Sequence, residues 1–213
     1  MRRAWATVAV APLIMAIGTP VAAQTASSSE QEQPKCVTLR PTATVGQELV
    51  QLDVTYCTDK YDTTSMLDQS GRTLPAWPDG QIVALTKDFL SGYRAAIMKG
   101  YSAEALNAPA SAISEYCGSA PAEGVLKWTS FCGDMFLARG NYASAQQFYV
   151  NYAKQTLDMK QAPANQDFSW KYAPGAAAAI ELNKTTPNRD LFVALTVLAG
   201  KRGFENAKSW LEM

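Results

Sequence analysis

The chain has 213 residues, with 19 basic and 19 acidic side chains, no histidine and four cysteines. A balanced charge without a basic block gives no electrostatic reason to expect nucleic acid as a partner. The lack of histidine excludes Ser-His-Asp and Cys-His catalysis and the common His-ligated zinc sites.

Met1-Arg2-Arg3 is a basic head, followed by an uncharged apolar run from Ala4 to Ile17 and small residues at Val21-Ala22-Ala23. The run is shorter than the roughly 20 residues a membrane-spanning helix needs. Residues 1–23 therefore read as a secretory signal peptide, which places the mature chain in the periplasm or outside the cell without a stable membrane anchor. No cysteine stands at the cleavage point. Removal of the signal leaves 190 residues with 17 basic against 19 acidic side chains, enough for one domain with a sizeable core.

Residues 24–35 are polar and too poor in apolar side chains to offset the entropy of ordering, so they read as a flexible leader. Residues 36–80 form a strand and loop lead. Val50, Leu52, Val54 and Tyr56 alternate with polar neighbours, the two-residue period of a half-buried strand. Cys36–Leu39 is its expected partner across the turn-prone stretch 41–46, giving a small hairpin. Such a hairpin is marginal alone and must dock or be stapled. Gly71, Pro75, Pro78 and Asp79-Gly80 punctuate a loop that carries Trp77, a ring expected to plug the side of the domain.

Residues 81–213 read as helical. Gln81–Lys99 places Ile82, Leu85, Phe89, Tyr93 and Ile97 on one stripe, and Gly100 stops it. Pro109 splits the next helical segment, leaving a short helix that ends at Gly118. In Val125–Met159, Val125, Trp128, Met135 and Phe136 precede a turn at Gly140-Asn141. Tyr142, Ala145, Phe148, Tyr149 and Tyr152 resume the helical period after it. Arg139 complements the carbonyl end of the first helix. Further on, Pro174 suits a first helical turn ahead of Ala176–Leu182. Leu191, Ala194, Leu195 and Leu198 then share a face, and Phe204, Ala207, Trp210 and Leu211 make a last short helix. The expected architecture is mainly α: an irregular stack of helical hairpins behind a small disulfide-stapled strand region.

Gly133, Phe136, Gly140-Asn141-Tyr142, Ala145 and Phe148-Tyr149 together resemble a tetratricopeptide (TPR) or Sel1-like repeat. One full motif covers about a sixth of the chain. The turn glycines at 100, 140 and 203 are unevenly spaced, against a period of about 34 in TPR arrays. The resemblance implies a protein or peptide partner bound on the face of the first helices. That face carries Lys127, Ser130, Asp134 and Leu137 in the central motif, with Arg189 and Phe192 in comparable places further on.

Four cysteines in an exported chain read as two disulfides and not as a metal site. Of three possible pairings, Cys36–Cys57 with Cys117–Cys132 is favoured because each pair brackets one local unit. No P-loop, dinucleotide fingerprint or CxxC pair is present, and no cofactor or metal is expected. The function expected is an exported interaction module or adaptor without catalysis. A histidine-free hydrolase or lyase on envelope glycan is the alternative, using two carboxylates among Glu104, Glu115, Glu123, Asp134 and Glu181 beside Trp77 or Trp170. An inhibitor of an envelope enzyme or a small-ligand carrier is a third reading.

Overall fold

The computed structural model describes residues 36–57, 77–118 and 126–212. The expected signal peptide, the leader, Glu123 and most of the Trp77 loop lie outside the described residues, as do the side chains of Lys127 and Trp128.

The alternating N-terminal segment forms four short strands, β1 (Cys36–Leu39), β2 (Thr42–Val45), β3 (Glu48–Gln51) and β4 (Val54–Cys57). β1 pairs with β4 and β2 with β3, all antiparallel. Cys36 faces Cys57, Leu39 faces Val54, Thr42 faces Gln51 and Val45 faces Glu48, so every pair of numbers adds to the same total. The amide of Leu52 donates to the Pro41 carbonyl at 3.0 Å and carries that register across the break. The strands are thus one antiparallel ribbon, closed by a two-residue turn in which Gly46 has φ +62°. The single strand expected over residues 50–56 is interrupted at Leu52-Asp53, and residues 42–45, expected as turn, form a strand of their own.

Alternation decides which side of this ribbon is wet. Val37, Leu39, Pro41, Ala43 and Val45 share a face with Val50, Leu52, Val54 and Tyr56, and all of these are buried or half-buried. The opposite face is exposed along its whole length, with Leu49 70% accessible. The inner face lies across two helices, α5 (Tyr142–Gln155) and α7 (Arg189–Lys201). Gly46 N donates to Gln147 Oε1 at one end, and Lys201 Nζ donates to the Thr55 carbonyl at the other. The Cys36–Cys57 disulfide closes the open end of the ribbon.

Eight helices are present among the described residues. α1 (Gly80–Gly100) is capped by Asp79, whose carboxylate accepts from Gln81 N. Its buried stripe is Ile82, Thr86, Leu90, Tyr93 and Ile97. The expected stripe is therefore turned by part of a residue step, with Leu85 at the exposed edge and Thr86 inside. Thr86 satisfies its hydroxyl by donating to the Val83 carbonyl, so it can be buried in place of an apolar residue. α2 (Ala103–Asn107) and α3 (Ala110–Gly118) are the two pieces left by Pro109, and the Cys117–Cys132 disulfide ties α3 to α4 (Leu126–Ala138). Both disulfides match the favoured pairing, and no described cysteine is free. Two disulfides are the mark of an oxidising environment. No described helix is long and apolar enough to cross a membrane.

α4 and α5 form the expected hairpin, turning at Gly140 with φ +74°. Gly133 allows the close crossing: a Cβ there would stand 2.5 Å from Cε1 of Tyr149. α6 (Asp167–Leu182) begins seven residues before Pro174, so the proline lies inside the helix and not in its first turn. Every residue from Ala173 to Leu182 is buried, because α6 packs against α1, α4, α5 and α7. α7 is likewise buried at each position from Leu191 to Ala199, where periodicity predicts a single stripe. α8 (Ala207–Leu211) closes the end, with Phe89, Phe204 and Trp210 meeting at ring-centroid distances of 5.0 to 5.3 Å.

Three half-buried arginines bind carbonyls at helix ends. Arg94 Nε donates to the Ala138 carbonyl, Arg139 Nη2 to those of Leu106 and Ala108, and Arg202 Nη2 to that of Thr156. Each joins the carbonyl end of one helix to a different element.

Stability measurements can read this packing at two places. Gly133→Ala is expected to lower unfolding free energy in urea by about 1–3 kcal/mol, the usual cost of forcing extra volume into a filled core. The paired change Cys36→Ala with Cys57→Ala is expected to cost about 3 kcal/mol while leaving the far-ultraviolet helical signal in place.

Candidate binding cleft

The first turn of α5, the last turn of α6, the middle of α1, the start of α7 and strand β2 converge on two open cavities. One, of about 590 Å³, is floored by Leu90 and Ile180 and rimmed by Lys87, Tyr142 and Asn183. The other, of about 340 Å³, lies beneath β2 and is lined by Thr42, Thr44, Gln146, Gln147, Glu181 and Asn188 among others. Ala143 and Lys184 belong to both, so the cavities adjoin. Asn141 places α5 by capping Ser144 N, and Asn188 places α7 by capping Leu191 N.

Glu181 fixes the junction. Its side chain is 2% exposed, yet both oxygens are engaged. Oε1 accepts from Asn188 N at 2.8 Å, and Oε2 accepts from Gln146 Nε2 and Lys184 Nζ, each at 2.6 Å. A buried carboxylate is tolerable only with such donors. Its effect is to hold the partly exposed Lys184 in one position between the cavities. Asn183, next to it, donates through Nδ2 to the Ala179 carbonyl and to Thr86 Oγ1, while its Oδ1 is buried with no partner.

A second buried carboxylate lies in the core. Asp134 accepts from Tyr101 Oη at 2.6 Å through Oδ2, and from Tyr149 and Tyr93 at 2.8 and 3.3 Å through Oδ1. Burial pushes its pKa up to about 6, although the three phenol hydrogen bonds pull the other way. The same burial, with the neighbouring carboxylate, raises the Tyr93, Tyr101 and Tyr149 phenols well above their ordinary value.

The face that the repeat resemblance implies is not a surface. Ser130, Asp134, Leu137 and Phe192 are buried. Arg189 is half-buried with its guanidinium 5.8 Å from the Trp77 ring, which itself packs on Phe192. Spacing assigns the polar residues of α4 outward because they fall between apolar ones; tyrosines from α1 and α5, and Tyr101 just after α1, cover that side instead. Glu104 and Glu115 are exposed, and Trp170 lies beneath Arg202 at 3.9 Å. Among the described residues no three His, Cys, Asp or Glu side chains gather as a metal site.

No motif in the sequence singles out Lys87, Ala143 or Lys184 as binding residues, and Asn183 stands out only as the acceptor of a formal Asn183-Lys184-Thr185 glycosylation motif. One signal does point to their neighbourhood: Glu181 is a lone charge within the apolar run Ala176–Leu182, and a buried charge requires a partner.

The Asp134 nest predicts a pH response. The folded pKa lies above the unfolded value of about 3.9, so the folded chain holds the proton more tightly. This contribution is full below about pH 4, is lost as pH rises to about 6, and is absent above that. Asp134→Asn is expected to remove it. The difference between wild-type and variant stability, followed by urea melts from pH 4 to 7, should then change by on the order of 2–3 kcal/mol.

No family model, curated protein or solved structure matches the chain, so the cleft is interpreted from its own geometry.

Proposed function

We propose that the chain is an exported binding module, periplasmic or secreted, that holds a peptide or protein partner in the cleft between α5, α6 and β2. The observation that carries this reading is the pair of adjoining cavities around Lys184, one mainly apolar and one of mixed lining. Their volumes fall in the range in which proteins enclose a small ligand or a few residues of a chain. The two disulfides and the signal-like residues 1–23 support export. The α4–α5 hairpin, with Gly133 at its crossing, supports kinship with TPR-like helical modules. The binding face then differs from the one those repeats imply, because α6 fills the interior.

Binding also accounts for the two buried carboxylates better than glycan hydrolysis does. Both oxygens of Glu181 and of Asp134 are held by donors, an arrangement that anchors neighbours and leaves neither carboxylate free for acid or base work.

Site-directed photocrosslinking tests the reading. A benzophenone side chain at Tyr142, which is 44% exposed on the cleft rim, should trap a partner in extracts of the exported fraction. The adduct should vanish when Ala143→Trp is added and should not form from the same probe at Met159. Equal capture from both positions, or capture indifferent to the tryptophan, would overturn it.

A further inference from the structure

The cleft has three chemically different parts in sequence along its length. Its deep half is apolar: Leu90 and Ile180 are nearly inaccessible beneath it, and the Tyr142 ring forms an exposed wall. Two lysines line this apolar half, Lys87 on its rim and Lys184 where it meets the second cavity. Lys184 uses one of its three donors on Glu181, and Lys87 has no ion-pair partner among the described residues. Asn183 lines the same cavity, with its Oδ1 buried and without a hydrogen-bond partner. Beyond the junction, the second cavity carries Gln146, Gln147 and Asn188 on its wall, and the amide nitrogen of Gln147 remains available after its oxygen accepts from Gly46 N.

An apolar body, a single negative charge and a polar chain with regular donors and acceptors is the description of a peptide's C-terminal end. We infer that the cleft takes the C-terminus of an extended peptide ending in a large apolar residue. The last side chain occupies the apolar cavity on Leu90 and Ile180. The terminal carboxylate meets Lys87 and the two spare donors of Lys184, a charge-assisted contact of the kind that decides orientation. The preceding amides run through the second cavity past Gln147 and Asn188.

Charge complementarity selects this occupant over an internal loop of a partner. A loop brings no terminal carboxylate and leaves the Lys87 charge unmatched. It also selects against a cationic or acidic last residue. The first would meet two ammonium groups, and the second would bury a carboxylate on Leu90 and Ile180.

The inference rests on the cleft being the binding site, and the experiment separates the two claims. Short synthetic peptide pools, randomised except for a fixed last residue, are titrated by fluorescence anisotropy against the oxidised chain. Pools ending in leucine or phenylalanine should bind, and those ending in aspartate or lysine should not. C-terminal amidation should weaken binding by about tenfold or more, the usual value of a hydrogen-bonded charge. Lys87→Glu should weaken the free-acid pools by several fold without moving the urea midpoint, and Ala143→Trp should abolish binding. Equal binding of acid and amide would overturn the C-terminal assignment. So would competition by N-acetyl-leucine as effective as the peptide, which would mark a small-carboxylate site. No binding by any pool, with the Tyr142 crosslink intact, would overturn the peptide chemistry and leave the cleft as a partner site. Loss of both would remove the cleft itself.

Discussion

A helix with no wet side can be accommodated only if its residues are small enough for neighbours to approach from every direction. α6 meets that condition with Ala173, Gly175 and the four alanines from 176 to 179, all buried. α1, α5 and α7 close around it, and the ribbon then covers α5 and α7 from outside. Alanine loses no side-chain entropy in a helix, so this segment stays helical despite Pro174 within it. The larger of two apolar clusters gathers around this rod, while a smaller one, Ile113, Cys117, Cys132 and Met135, joins α3 to α4. Elements of only four or five residues, such as β1 to β4, α2 and α8, owe their order to docking on that frame.

The same arrangement places the cleft. Where α6 ends at Leu182, the helices around it can no longer converge on a small-residue core, and the gap left at their ends is lined by whatever each helix carries there. Glu181 lies at the last buried turn and turns this edge to use. It ties the α7 N-terminal amide, a glutamine of α5 and Lys184 into one set of contacts. The geometry of the cleft rim is thus fixed by the same residue that closes the packing beneath it.

Much of this is legible in the sequence, for identifiable reasons. The ribbon alternates strictly, so its inner and outer faces are set by parity alone. The α4–α5 hairpin carries both a turn glycine and a small residue at the crossing. The cysteine pairing is given by local bracketing. What fails is the assumption that a helix has one buried stripe. It misplaces Leu85 relative to Thr86, leaves α7 with a single face, begins α6 at Pro174, and assigns Ser130 and Asp134 to a surface. The errors on α4 and α7 arise where a helix is enclosed from more than one direction, which periodicity within that helix cannot reveal; α1 keeps one stripe, turned so that Thr86 is inside, and α6 admits Pro174 in its interior. The cleft is least legible of all, since Lys87, Ala143 and Lys184 are ordinary surface residues in sequence and acquire meaning only by meeting from α1, α5 and the turn after α6.

The arginines that grip helix-end carbonyls carry a consequence for the medium in which the chain works. A guanidinium stays protonated over any range a living surface encounters, and even Arg202, lowered by burial to about 10, remains charged at neutrality. Its partners here are peptide dipoles and not carboxylates, so neither acid nor added electrolyte removes the other half of the bond. These sutures between Arg94 and α4, Arg139 and α2, and Arg202 and α5 therefore hold in brine or in vinegar alike.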